Sequence, residues 1–260
     1  MLDKSLNLAV LIDADNTSHT LIASILEEIA KYGTAYVKHV YGDWSSPSLK
    51  NWKEKCLSHG LIAIQQFSYT SQKNATDIAM VIDAMDLLHS GKFDGFCLVS
   101  SDSDFTGLAS RIRKEGVLVY GIGKNNAPEA FRMSCDKYIF TNNLLDLNNV
   151  IDKNQDNADL QEIIEKYEIQ STQYEPKSQL ELRNDIKLIS LIHNAIKENE
   201  NANGWAPLSS IGKYISKISP EFDSRNYGYP KLSELTNAIG FFASKNQNNQ
   251  IYLTNEIPKN

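Results

Sequence analysis

A parallel α/β sheet covered by helices on both faces, followed by a small and mainly helical module, is the architecture this 260-residue sequence predicts. Three observations carry it. Up to about residue 141, apolar runs of strand length alternate with stretches of helical spacing, the rhythm of βαβ units joined by right-handed crossovers. Most of the strand-like runs are continuously apolar or β-branched, as strands covered on both faces are. The rhythm then dissolves into a polar, acidic stretch, after which only helical patterns and one short strand follow.

Taken in order, the strands are LNLAVLI (6–12), AYVKHVY (35–41), LIAIQQF (61–67), GFCLVSS (95–101), VLVYGIG (117–123) and KYIFT (137–141). Between them lie LIASILEEIAKYG, LKNWKEKCLSHG, TDIAMVIDAMDLLHSG and FTGLASRIRKEG, each with helical apolar spacing and each closed by a glycine, the common C-terminal stop. Residues 1–150 therefore read as one domain. Residues 151–180 read as an acidic linker with one short helix around Leu160–Tyr167. Residues 181–260 read as a second domain: helices in LRNDIKLISLIHNAIKEN, WAPLSSIGKYISKIS and YPKLSELTNAIGFF, then the strand-like QIYLTN, a winged-helix-like order.

Composition narrows the function classes. The chain is 42% hydrophobic with net charge −6, enough to bury a core and too acidic to hold nucleic acid by bulk charge. The acidity is uneven: 17 acids against 14 bases in 1–150, 7 against 3 in 151–180, and 8 against 9 in 181–260. No run approaches the ~18 apolar residues of a membrane span. The N-terminal apolar run ends in aspartates with no small-residue cleavage site, unlike a signal peptide. Three lone cysteines, Cys56, Cys97 and Cys135, form no CxxC pair, which argues against structural zinc and for a reducing cytoplasm.

The candidate site is a set of acids. Asp13 and Asp15 follow the first strand, Asp102 and Asp104 follow the fourth, and Asp77 opens the helix after the third, where Thr76 or Asn74 is placed to cap it. All five fall on the carboxyl edge of the predicted sheet, where open α/β folds bind ligands. A reversal of strand order after the third strand makes the first and fourth neighbours, ~4.8 Å apart, and sets Asp13 beside Asp102. Carboxylates that close raise one another's pKa. A hard divalent cation, Mg²⁺ or Mn²⁺, is the neutraliser an all-oxygen site favours, and it suits hydrolysis of a phosphate ester. Any single acid here also fits a helix cap, Asp15 and Asp104 above all. What capping leaves unexplained is the clustering at three chain positions. Asp83, six residues after Asp77, lies about 240° around the helix and is predicted to point elsewhere. Asn16, Lys73 and Ser101 are candidate contacts to a phosphate-bearing substrate. The five histidines show no ligand spacing, and no glycine-rich phosphate loop is present.

IDADN (12–16), KNATDIAMVIDAM (73–85), FCLVSSDSDF (96–105) and GIGKNNAPEAFRMSCDKYIF (121–140) together resemble the NYN domain, a PIN-like nuclease group that includes the bacterial LabA and DUF88 proteins. The resemblance spans most of residues 6–145, in order. It implies a PIN-like three-layer fold and metal-dependent cleavage of RNA phosphodiesters. By matching position, it implies catalytic and metal-binding roles for Asp13, Asp77, Asp102 and Asp104. Asp15 stands where relatives often carry Glu or a small polar residue. GWAPLSSIGKYISKISPEFDSRNYGYPKLSELTNAIGFF (204–242) resembles an OST-HTH (LOTUS) domain, a winged-helix fold associated with RNA. Lys213, Arg225, Tyr227 and Lys231 are the substrate contacts expected there, since cations with interleaved aromatics suit phosphates and bases; Lys217, Tyr214 and Tyr229 accompany them.

A different class competes. LAVLIDADNT also fits the opening of haloacid-dehalogenase-like phosphatases, in which Asp13 would be the nucleophile and Asp15 the general acid. No suitably placed lysine motif precedes SSDSD, and that reading leaves Asp77 and the second domain without a role. A third reading is a non-catalytic RNA-binding scaffold. The sequence is best read as a cytoplasmic, metal-dependent ribonuclease whose second domain recruits RNA, with homo-oligomerisation left open.

Overall fold

A computed structural model describes residues 5–67, 74–144 and 176–255. The chain divides into two compact units, Met1–Asp146 and Leu147–Asn260. The expected linker falls outside the described residues up to position 175, and so does its short helix.

Six strands form the sheet of the first unit: β1 (Leu6–Asp13), β2 (Gly33–Gly42), β3 (Ile62–Gln65), β4 (Gly95–Val99), β5 (Leu118–Gly123) and β6 (Lys137–Phe140). All are parallel, in the order β3-β2-β1-β4-β5-β6. The order reverses between β3 and β4, which makes the first and fourth strands neighbours. Helices α1 (Ile22–Ala30), α2 (Trp52–His59), α3 (Ala75–His89) and α4 (Thr106–Lys114) occupy the expected connections. A fifth, α5 (Glu129–Ser134), follows Pro128; six residues were too few to show a helical period. Gly60, Gly91 and Gly116 close their helices in the left-handed region, but Gly33 instead opens β2.

Alternation along β1 builds both layers of the core. Leu8, Val10 and Ile12 face a cluster with Ile22, Ile25, Ile29 and Trp52 from α1 and α2. Ala9 and Leu11 face the opposite cluster, with Met80 of α3, Ile112 of α4 and Phe131 of α5. Full burial of each such large side chain is worth about 1.5–3 kcal/mol, so β1 is gripped from both sides. Its carboxyl end is thereby fixed in space.

The second unit departs further from expectation. The single helix predicted from residue 182 to 199 is two, α6 (Gln179–Asn184) and α7 (Ile186–Asn199). Asp185 divides them: its backbone N–H bonds the Leu182 carbonyl, ending α6, while its carboxylate accepts the Leu188 N–H, starting α7. α6 itself begins with a capping box between Ser178 and Glu181, inside the stretch assigned to the linker. Helices α8 (Leu208–Ile218) and α9 (Leu232–Ile239) match the remaining patterns. The terminal strand is part of a three-stranded antiparallel sheet, β7-β9-β8, made of Ala206–Pro207, Gln250–Thr254 and Ala243–Gln247. β8, with sequence ASKNQ, offered no apolar alternation to read. Ile192, Ile196, Ile211, Ile215, Leu235 and Leu253 form the core of this unit.

Candidate metal centre

β1 and β4 pair directly, with Ile12 opposite Val99, so the segments that follow them leave the sheet side by side. Asp13, the last residue of β1, is 1% exposed. Its Oδ1 accepts the backbone N–H groups of Asp15 (3.0 Å) and Asn16 (3.2 Å). Its Oδ2 accepts the Asn16 amide (2.7 Å) and the Ser100 hydroxyl (2.8 Å). Four bonds occupy the roughly four lone-pair sites a carboxylate offers. Asp13 is thus a buried anion satisfied by its own turn and by the residue that follows β4.

Three other acids converge in front of it. Asp77 stands in the first turn of α3. Asp102 caps the short 3-10 turn Ser103–Phe105 that leads into α4, accepting the Asp104 N–H at 2.9 Å, and its own N–H bonds the Ser100 hydroxyl at 3.1 Å. Asp104 sits inside that turn and accepts the side-chain amide of Asn74. Asp77, Asp102 and Asp104 each offer a carboxylate oxygen within 4.8 Å of the others, Asp77 and Asp102 half-buried and Asp104 exposed. Capping and clustering are therefore not alternatives for Asp102. The same carboxylate does both.

The electrostatics of this edge are strained. The Asp77 carboxyl is pushed up to about 6, first by desolvation and then by Asp13, Asp102, Asp104 and Asp15. Asp15 is also raised, by desolvation and by Asp13, with a Thr76 hydrogen bond opposing and Asp43 adding to the rise. Among the described residues no lysine or arginine forms an ion pair with the three converging acids. An all-oxygen donor set with unbalanced negative charge is what a hard divalent cation requires, and the residues present fit one.

The helix that carries Asp77 is anchored by Asp83, six residues further along α3. Asp83 accepts the Tyr41 hydroxyl and bonds His39 Nδ1 at 2.7 Å, which ties α3 to β2. Burial and then Asp83 drive the Tyr41 hydroxyl far above the ordinary tyrosine range. Asp83 therefore serves the helix and not the acidic cluster.

The other sequence candidates fall in several places. Asn16 is bound to Asp13, and the Ser101 hydroxyl accepts the Lys124 N–H at 2.8 Å. Lys73 lies outside the described residues. In the second unit Lys213 and Lys231 are exposed, as is Lys217. Arg225 is forked onto Asp223, Nε to Oδ1 at 3.0 Å and Nη2 to Oδ2 at 2.7 Å. The Tyr227 ring packs against Phe222 with Lys177 Nζ 4.9 Å above it, and burial pushes its hydroxyl up to about 12. Arg225 and Tyr227, expected to meet substrate, are thus engaged inside the unit. Sequence reasoning passed over Asp43, one residue beyond β2, and the bond from Ser100 to Asp13, which joins positions 87 residues apart.

Comparison with known protein families finds two domains along the chain. The NYN domain family matches residues 7–146, more than half the chain, and the OST-HTH/LOTUS domain matches residues 183–252. A solved structure of a protein of unknown function from Vibrio parahaemolyticus is 16% identical, with TM-score 0.45, covering 54% of this chain and 95% of that one. A solution structure of an uncharacterized protein from Nitrosomonas europaea is 31% identical, with TM-score 0.25, covering 27% of this chain and 74% of that one. No curated protein matches the chain. The chain belongs to the NYN domain family, in the PIN-like nuclease superfamily, and carries a C-terminal OST-HTH/LOTUS domain.

Proposed function

We propose that the first unit is a metal-dependent ribonuclease and that the second unit recruits its RNA. The convergence of Asp77, Asp102 and Asp104 within 4.8 Å on the carboxyl edge carries this reading. These three would hold Mg²⁺ or Mn²⁺. When bound there, the cation supplies charge neutralisation at the scissile phosphate and eases deprotonation of the attacking water. The chain's own contributions are positional. The turn after β4 presents Asp102 and Asp104, the α3 start presents Asp77, and Asn74 orients Asp104. Asp13 keeps the two strand ends knotted and adds a buried negative charge behind the cluster.

The phosphatase alternative asks Asp13 to attack phosphorus. A carboxylate 1% exposed with both oxygens doubly hydrogen-bonded is a poor nucleophile, and that favours the nuclease. The RNA-recruiting role rests on the OST-HTH/LOTUS match. Joined to the first unit, it would raise the local RNA concentration where both sites reach one strand.

The test incubates the full chain with labelled single-stranded RNA and Mn²⁺ or Mg²⁺, beside Asp77→Asn and Asp102→Asn. Metal-dependent cleavage in the wild type, lost by more than the ~10–100-fold usual for outer partners of a metal site, supports the reading. Titration calorimetry with Mn²⁺ alone checks the site separately, and both variants should lose the binding heat. RNA binding without turnover in either metal would leave the scaffold reading standing instead.

A further inference from the structure

Apart from Phe241, which lies under the Arg183 guanidinium, the described aromatic residues of the second unit sort into two groups. Tyr214, Phe222, Tyr227, Tyr229 and Phe242 pack against its core. Trp205 and Tyr252 stand outside that cluster, and both are only partly buried. Strand parity explains why. Ala206 pairs with Leu253, and both point into the core; the flanking positions, Trp205 and Tyr252, therefore face outward. Lys245 of β8 pairs with Tyr252 and shares that outer face. Its ammonium lies 4.0 Å from the Trp205 ring centroid and 5.8 Å from that of Tyr252.

We propose that this outer face of the β7-β9-β8 sheet is the surface on which the second unit receives single-stranded RNA, with bases stacked on Trp205 and Tyr252 and a phosphate met by Lys245. The proposal rests on the RNA-recruiting role above and says which surface performs it. Three features favour RNA over another occupant. Beside the two rings, the outward positions Pro207, Ala243, Lys245, Gln247 and Gln250 carry one cation and no acid, so the face complements a polyanion. Two rings separated by a lysine match the alternation of base and phosphate along a strand. The rings are also held before ligand arrives. Asn201 closes the approach to Trp205, accepting its N–H at 3.2 Å and donating its own N–H to the Trp205 carbonyl at 2.9 Å, while the Tyr252 hydroxyl bonds Gln250 at 3.0 Å. The hairpin tip Asn248-Asn249, both in the left-handed region, sets the register that aligns Lys245 with Tyr252.

Lys245 covers the rings in the free protein, so stacking requires its ammonium to swing aside. A cation over a partly buried ring is worth about 0.5–2 kcal/mol, whereas base stacking is worth about 1–3 kcal/mol per base. Two stacked bases together outweigh the one lysine they displace, and the released ammonium is left beside the strand.

Fluorescence anisotropy with the full chain, EDTA and a labelled 20-mer of oligouridylate tests this. Trp205→Leu should weaken binding about 5- to 150-fold and Tyr252→Leu similarly, while Trp205→Phe and Tyr252→Phe, which keep a ring, should restore most of it. An abasic ribose-phosphate strand of equal length should bind wild type and the leucine variants alike. Far-ultraviolet circular dichroism and thermal melts of the leucine variants should overlay the wild type. RNA binding by the wild type with undiminished affinity in both leucine variants, or equal wild-type affinity for the abasic strand and the 20-mer, overturns this surface but leaves RNA recruitment intact. A wild-type chain that binds neither strand overturns recruitment and this surface together.

Discussion

The acidic edge of the first unit and the outer sheet face of the second handle charge in opposite ways. At the acidic edge, burial and then four neighbouring carboxylates raise the Asp77 pKa, and none of the three converging acids has an ion-pair partner among the described residues. On the sheet face, one ammonium rests against two rings. The first arrangement carries excess negative charge that a cation would offset. The second keeps its one positive charge over neutral rings, and a base that stacks there must displace the ammonium. One surface is built around a deficit and the other around an exchange, so they should respond differently to removal of a single group.

The largest effect should come where the deficit is organised. Ser100 bonds both Asp13 and the Asp102 N–H, linking the buried carboxylate to a converging one. Ser100→Ala should lower cleavage and Mn²⁺ affinity together by about 10- to 100-fold, since it frees an Asp13 oxygen and loosens the Asp102 turn. Parallel activity and calorimetric measurements check whether the two losses match. Next comes Arg225→Ala, which strips Asp223 of a partly buried partner. Denaturant melts should show a loss of about 1–3 kcal/mol, with the affinity of the folded protein for RNA little changed. Loss of affinity at unchanged stability would return Arg225 to the RNA surface.

A smaller effect has a definite sign. Asp77 titrates near 6 in the folded chain against an ordinary 3.8, so the folded state holds this proton more tightly than the unfolded state. That contribution to stability is present below about pH 4 and is lost as pH rises through about 6. In EDTA, Asp77→Asn should therefore melt above the wild type at pH 7.5, and the two should converge at pH 4. Each kcal/mol would appear as about 2–4 °C for a chain of this size. Saturating Mn²⁺ should reverse the order at pH 7.5. The smallest effect belongs to the exposed Lys213 and Lys217. Replacing both with glutamine should flatten the slope of log affinity for RNA against log salt by at most about 0.7 for each phosphate they neutralise.

Much of this was legible in the sequence. The acids after the first and fourth strands share one place if strand order reverses after the third, and β1 does lie beside β4. Burial of β1 on both faces was encoded in an unbroken apolar run. The division of labour among the acids was not legible. The hydrogen bonds of Asp13 depend on Ser100, 87 residues away, and on a turn of Asn16 that any short loop could have taken differently. The second unit was misread where short-range bonds overrule period. Asp185 splits an unbroken amphipathic pattern by capping two helices at once, and β8 has Ala243 as its one apolar residue while β9 contributes Leu253 and Ile251 to the core. That Arg225 forks onto Asp223 and Tyr227 packs against Phe222 was not legible, because composition does not say which way a ring or a guanidinium faces.

Gly123, where β5 ends, gives the acidic edge a dependence no charge reveals. A methyl group built there would run into the Tyr138 hydroxyl, the Ser100 carbonyl oxygen and the Ser101 hydroxyl. The absence of a side chain at this point is what lets β5 close up against the turn that carries Asp102. In a saturation-mutagenesis profile, position 123 should consequently score as intolerant as the aspartates while contributing no donor atom. Alanine there should injure the site by displacement, and compensating changes should arise at Tyr138 or Ser101 before they arise among the acids.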